Sequence, residues 1–120
     1  MIRSSETVLL HNPQCSKSRA ALALLTEHGV EFSVREYLIE PLSREELDSL
    51  HALLGSHPRE WVRTGEPQWE QSGLSLGSEA GPILDAIADF PVLLQRPILI
   101  RGEQAAVGRP PTLLLCLLEE

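Results

Sequence analysis

Lysine, cysteine and long apolar runs are scarce in this sequence, and each shortage excludes a class of protein. Two cysteines, Cys15 and Cys116, are too few for the disulfide framework of a small secreted domain. Residues 1–6 lack the apolar segment of a signal peptide, and no stretch approaches the roughly 20 apolar residues of a membrane span. We therefore expect a cytoplasmic protein that is not inserted in a membrane.

Positive charge is also in short supply. The formal net charge is −7, which argues against binding to nucleic acid or to an anionic membrane, because both need a basic face. Lys17 is the one lysine, and the other nine basic residues are arginines. Planar guanidinium groups suit tetrahedral oxyanions, so this bias is compatible with a local anion pocket. Biased genomic composition is the simpler explanation for the excess of arginine over lysine.

Apolar periodicity predicts an α/β protein. Hydrophobic residues form 42% of the sequence, enough for the core of a single domain over residues 1–120. Phe32 and Val34 alternate with polar residues, a pattern that predicts a strand. The predicted elements are a strand over 7–11, a helix over 16–28, a strand over 32–37, a helix after the capping box at Ser43–Glu46, short helices at about 58–63 and 67–72, a helix from Ser78 to Phe90, strands over 97–101 and 104–107, and a final helix from Pro110.

Cys15 lies between the first predicted strand and the first predicted helix. A thiol at that turn faces the unpaired N–H groups of the helix N-terminus, which favour the thiolate. His11 is expected either to stabilise this thiolate as a cation or to be a neutral hydrogen-bonding residue. The Ser18 hydroxyl lies one turn along, where it either reaches the sulfur or faces solvent. Cys15 is therefore the candidate nucleophile.

The sequence resembles the arsenate reductase family that is coupled to glutathione and glutaredoxin, also called the ArsC family. The resemblance rests on four stretches in the right order: His11–Arg19 (His-Asn-Pro-x-Cys-Ser-Lys-Ser-Arg), Tyr37–Pro41, Arg63 with Gly73-Leu74, and Arg96-Pro97-Ile98 with Gly108-Arg109-Pro110-Pro111. It implies a thioredoxin-like fold, β-α-β followed by β-β-α, with a helical insertion at about residues 43–95. We expect a four-stranded mixed sheet in which the strand over 7–11 lies beside the strands over 32–37 and 97–101. The Ser16-Lys17-Ser18 sequence replaces the Gly-Thr-Ser of better-studied members and indicates a sister group.

The resemblance also assigns roles to residues. Cys15 takes the place of the nucleophile, and Pro97 takes that of the cis-proline facing it. Arg63, Arg96 and Arg109 take the places of three oxyanion-binding arginines, although surface ion pairs are the alternative for each of them. His11 and Ser18 occupy the supporting positions in the nucleophile loop.

The implied activity is reduction of arsenate, or of a similar oxyanion, to arsenite. Cys15 would attack arsenate, and glutathione and glutaredoxin would then supply the electrons, with glutathione as a co-substrate and no bound cofactor. One alternative is a glutathione-dependent monothiol reductase of another substrate. Another is a non-enzymatic, Spx-like regulator that binds RNA polymerase, but such regulators use Cys-x-x-Cys, and here Ser18 takes the second cysteine position.

Two further expectations concern residues outside this set. No metal site is expected, because the histidines and cysteines lack the cluster spacing of metal ligands. Cys116 lies within the apolar run Leu113–Leu118, so we expect a buried and inert thiol.

Overall fold

A computed structural model describes residues 7–118, which form two compact units. The first unit comprises the described residues up to Glu40 and those from Arg96 onward, and the second is Pro41–Gln95. No helix within residues 7–118 has both the length and the apolar composition that crossing a bilayer requires. The single-domain organisation over residues 1–120 stays a prediction.

The first unit is built on a four-stranded mixed sheet in the order β2-β1-β3-β4. β1 pairs in parallel with β2 and antiparallel with β3, and β3 pairs antiparallel with β4. The strands are β1 (Thr7–His11), β2 (Ser33–Glu36), β3 (Ile98–Arg101) and β4 (Gln104–Val107). The predicted pairing of the first strand with the second and third strands is therefore confirmed.

Helix α1 (Ser16–Glu27) connects β1 to β2, and a 3₁₀ helix (Pro111–Leu117) follows β4. The two helices pack together against the sheet. The buried side chains of their shared core are Leu9, Ala21, Leu25, Leu99, Leu114 and Leu117. The side chain of Val34, however, is 44% exposed. Among the described strands β2 lies at the edge of the sheet, and Ser33 and Glu36 are exposed as well.

The second unit is helical. It contains α2 (Arg44–Leu54), α3 (Pro67–Ser72), α4 (Ala80–Asp89) and 3₁₀ helices over Pro58–Glu60 and Pro91–Leu93. The predicted capping box is present, since the Ser43 hydroxyl accepts the N–H of Glu46 and the Glu46 carboxylate accepts the N–H of Ser43. α2 packs against α4, and Arg44 on α2 forms an ion pair with Asp85 on α4.

Candidate active site

Cys15 lies at the junction of the sheet and α1, where its position follows from the local chain. It is the N-cap residue of α1, with extended backbone (φ −99°, ψ 124°). Its N–H donates to the carbonyl of Asn12 at 3.0 Å, and its carbonyl accepts the N–H of Arg19 at 3.0 Å. These bonds hold the half-buried thiol at the first turn of the helix, where backbone N–H groups have no partner within the helix.

The pKa of Cys15 is lowered to about 7. Partial burial acts in the opposite direction, because it disfavours the charged thiolate. Hydrogen bonding from the backbone N–H of Ser18, from the Arg96 guanidinium and from the N–H of Lys17 outweighs this effect, and the positive charge of Arg96 adds to it. The thiolate, which is the nucleophilic form, is therefore more populated at neutral pH than in a free cysteine, whose pKa is about 8.5.

Arg96 supplies donors as well as charge. Its Nε and Nη1 atoms are buried and have no hydrogen-bond partner within residues 7–118. A buried donor that is left unpaired costs about 1–3 kcal/mol, so such groups commonly serve a ligand. The peptide bond between Arg96 and Pro97 is cis, as the family resemblance predicted.

Arg109 contacts the backbone at the same point of the first unit. Its Nη1 donates to the carbonyl of Arg96 at 2.9 Å, and the N–H of the preceding Gly108 donates to the carbonyl of Pro97 at 2.8 Å. The Arg109–Pro110 bond is also cis, which the sequence did not predict. Two of the three candidate arginines, Arg96 and Arg109, are thus brought together.

His11 and Ser18 form a buried pair at the base of the nucleophile loop. His11 Nδ1 lies 2.7 Å from Ser18 Oγ, and that oxygen accepts the N–H of Asn12 at 3.0 Å. Burial lowers the pKa of His11, although the charge of Glu36 opposes this. The lowered pKa favours the neutral form of His11, as the hydrogen-bonding alternative for this residue requires. The Ser18 hydroxyl is hydrogen-bonded to His11 and to the N–H of Asn12, while the backbone N–H of Ser18 donates to the Cys15 sulfur.

Arg63 belongs to the second unit. Its Nε lies 3.4 Å from Oε1 of Glu66, and its Nη1 donates to Oε1 of Gln95 at 3.0 Å. The chain continues from Gln95 directly to Arg96. That Arg63 shares an oxyanion with Cys15 stays a prediction.

Sequence reasoning missed three residues that arrange these groups. Asn12 accepts the N–H of Gln14 at 2.9 Å through its side chain, an Asx turn that the Asn-Pro pair after a strand signals. Glu66 lies three residues after Arg63, a spacing that could have suggested an ion pair. Gln95 carries no local signal, since its contact with Arg63 spans 32 residues.

The thiol of Cys116 is exposed, so the expectation of a buried thiol is wrong. The final helix is a 3₁₀ helix, in which side chains three residues apart lie on one face. Leu114 and Leu117 occupy the buried face and leave Cys116 outside it. Both cysteines are free.

Residues 7–118 contain no group of three or more His, Cys, Asp or Glu side chains that could hold a metal ion. The described groups of the site place the thiolate of Cys15 beside the positively charged donor groups of Arg96. Such a set can attack an electrophile while it binds the negative charge on that electrophile's oxygens.

Comparisons with known proteins identify the family of this chain. The ArsC family model matches residues 10–115. An arsenate reductase of Neisseria meningitidis is 43% identical over 109 residues, which cover 88% of this chain and 92% of the relative. An arsenate reductase of Haemophilus influenzae is 36% identical over 113 residues, covering 92% and 97%.

Solved structures give the same result. The structure of an arsenate reductase from Vibrio cholerae superposes with a TM-score of 0.86 at 37% identity, and covers 92% of this chain and 96% of its own. The fold is accordingly the predicted thioredoxin-like α/β fold. The family model spans most of the sequence and the relatives match nearly end to end, so the chain belongs to the ArsC family.

Proposed function

We propose that this protein is an arsenate reductase in which Cys15 is the nucleophile and glutathione and glutaredoxin are the reductants. One observation carries the proposal. A thiol with a pKa of about 7 lies beside Arg96, a guanidinium that has two buried N–H groups without a partner in residues 7–118. The oxygens of an anionic electrophile would accept hydrogen bonds from those two N–H groups. Its central atom would then lie within reach of the Cys15 sulfur.

The first step is substitution at arsenic. The Cys15 thiolate attacks As(V), an As–S bond forms, and one oxygen leaves as water after taking up protons. Arg96 neutralises the charge that builds on the remaining oxygens. We assign Arg109 and Arg63 to the same oxyanion, and Gln95, which holds Arg63, directly precedes Arg96 in the chain.

The later steps need two electrons. Glutathione attacks the arsenic adduct and displaces a second oxygen as water. Glutaredoxin then attacks the glutathione sulfur, and the bond between that sulfur and arsenic breaks with its electron pair left on arsenic, which becomes As(III). Water cleaves the remaining As–S bond to Cys15 and releases arsenite. Two external thiols are thereby oxidised to one disulfide, and the Cys15 thiolate is regenerated. External thiols are required because the Cys15 loop and α1 contain no second cysteine. A reducing compartment such as the cytoplasm keeps all of these thiols reduced.

The test is turnover of arsenate with glutathione and glutaredoxin, measured for the wild type, Cys15→Ser and Cys116→Ala. We expect arsenite formation that requires both reductants, is abolished in Cys15→Ser and continues in Cys116→Ala. Turnover without glutaredoxin would overturn the proposed reductant. Arsenate-independent reduction of a disulfide by Cys15 would instead favour a monothiol reductase.

A further inference from the structure

The guanidinium of Arg63 is held by two acceptors of different charge. The carboxylate of Glu66 lies 3.4 Å from Nε, and the neutral amide oxygen of Gln95 accepts from Nη1 at 3.0 Å. The side chains of Arg63 and Glu66 are each about one-quarter exposed, 25% and 23%, so water screens this pair only partly.

The backbone fixes the same arrangement. The N–H of Arg63 donates to the carbonyl of Leu93 at 2.7 Å, and the N–H of Gln95 donates to the carbonyl of Trp61 at 3.0 Å. Val62 and Leu94 form an antiparallel bridge between these bonds, and both of their side chains are buried. Arg63 is therefore opposite Leu93 and Gln95 is opposite Trp61, so the side chains of Arg63 and Gln95 are diagonal neighbours on one face of this bridge.

The two acceptors have separable effects on an anion bound at Arg63. Gln95 holds the guanidinium in place without adding charge. Glu66 also holds it, but its negative charge repels any oxyanion that approaches the same arginine. Removing the charge of Glu66 while keeping its shape should strengthen anion binding, whereas removing the Gln95 amide should weaken it.

We propose that Gln95 is a positioning residue for Arg63 and that Glu66 limits the affinity of the site for oxyanions. This inference rests on the proposed function, because it assumes that Arg63 binds the oxyanion substrate. Its consequence is that the enzyme does not hold sulfate, phosphate or arsenate as tightly as three unopposed arginines would.

The experiment is titration of sulfate and of arsenate by calorimetry at fixed ionic strength, in a Cys15→Ser background that prevents turnover. We expect Glu66→Gln to tighten binding of both anions about two- to five-fold. Glu70→Gln is the matched control, because Glu70 lies in α3, the helix that Glu66 precedes as N-cap residue, is exposed and loses the same charge. Gln95→Ala should weaken binding about three- to tenfold.

Steady-state kinetics with Cys15 present provide the second readout. Glu66→Gln should lower KM for arsenate with little change in kcat, and Gln95→Ala should raise KM while thermal unfolding shows a folded protein. Equal effects of Glu66→Gln and Glu70→Gln would overturn the role of Glu66. Wild-type anion affinity in folded Gln95→Ala would overturn the role of Gln95.

Arg63→Ala separates this inference from the proposed function. If Arg63→Ala weakens anion binding and also abolishes the effect of Glu66→Gln, both stand. If Arg63→Ala binds anions like the wild type, Arg63 is not part of the oxyanion site and that part of the proposed function fails. If Arg63→Ala weakens binding while the Glu66 and Gln95 variants bind normally, only the present inference fails.

Discussion

His11 Nδ1 lies 2.7 Å from the hydroxyl oxygen of Ser18, and this contact ties the end of β1 to the first turn of α1. The same hydroxyl oxygen accepts the N–H of Asn12, so it serves two buried groups at once. Ser18 itself is fully buried. The pair therefore links the two ends of the nucleophile loop, residues 11–19, while the backbone N–H of Ser18 hydrogen-bonds the Cys15 sulfur.

Ser18→Ala should destabilise the fold and spare the reactivity of Cys15. The substitution leaves the Asn12 N–H and the His11 ring nitrogen buried without their partner, which costs about 1–3 kcal/mol in the free energy of unfolding. The Cys15 pKa should stay near 7, because the Ser18 N–H is retained. Urea denaturation and the pH dependence of alkylation measure the two effects.

The control for this prediction is Ser16→Ala, which removes an exposed hydroxyl from the same turn. It should change the free energy of unfolding by less than about 0.5 kcal/mol. Equal stability of the two alanine variants would show that the His11–Ser18 contact does not stabilise the loop.

Arg96→Ala should raise the pKa of Cys15. The wild-type alkylation rate should have its midpoint near pH 7, because the thiolate that reacts is present above the pKa and is lost as the pH falls through it. Loss of the Arg96 charge and hydrogen bond moves that midpoint to higher pH. The measurement is the rate of iodoacetamide labelling against pH, in a Cys116→Ala background.

Arg59→Ala is the matched control, since it removes the same charge from an exposed residue of the second unit. Its midpoint should equal that of the wild type. A midpoint in Arg96→Ala that also equals the wild type would show that Arg96 does not stabilise the thiolate.

The elements that the sequence predicted correctly are those encoded by nearby residues. α1 follows from its apolar spacing, and α2 follows from the capping box at Ser43 and Glu46. The position of Cys15 at the helix start follows from the same local pattern. The pairing of the strands was predicted as well, because a β-α-β unit restricts the sheet to few topologies.

The features that the sequence did not predict depend on distant parts of the chain. Val34 alternates correctly for a strand, yet its exposure depends on which strand forms the edge of the sheet. Cys116 lies in an apolar run, but the choice of a 3₁₀ over an α-helix decides which side chains are buried. The Arg63–Gln95 contact spans 32 residues, so no local pattern contains it.

Cys116 should react with thiol reagents in the folded protein, because its side chain is exposed. We expect two labelled thiols per chain under native conditions, and one in either Cys15→Ser or Cys116→Ala. Mass spectrometry after labelling with N-ethylmaleimide counts them. A single label on the native wild type, with a second that appears only after unfolding, would contradict the exposure of Cys116.

Gly108→Ala should destabilise the first unit. A Cβ at this position would lie 2.9 Å from Cγ of Leu114 and 3.0 Å from Cγ of Pro97, both closer than normal contact. Leu114 is fully buried and the proline ring is rigid, so neither can move away freely. Such overpacking typically costs about 1–3 kcal/mol, and thermal and urea unfolding measure it.

Two further variants isolate the steric cause. Gly77→Ala should be nearly neutral, since its Cβ would meet only the Ser75 hydroxyl, at 3.6 Å. Leu114→Ala makes room beside position 108, so the double variant with Gly108→Ala should be more stable than the sum of the two single effects predicts. Additive effects in this cycle would mean that Gly108→Ala acts through something other than its contact with Leu114.

Gly108→Ala should also affect the reactivity of Cys15. Because the N–H of Gly108 donates a hydrogen bond to the carbonyl of Pro97, a displaced Pro97 should move the adjacent Arg96 away from the Cys15 sulfur. The alkylation midpoint of Cys15 should then rise in Gly108→Ala and return towards pH 7 in the double variant.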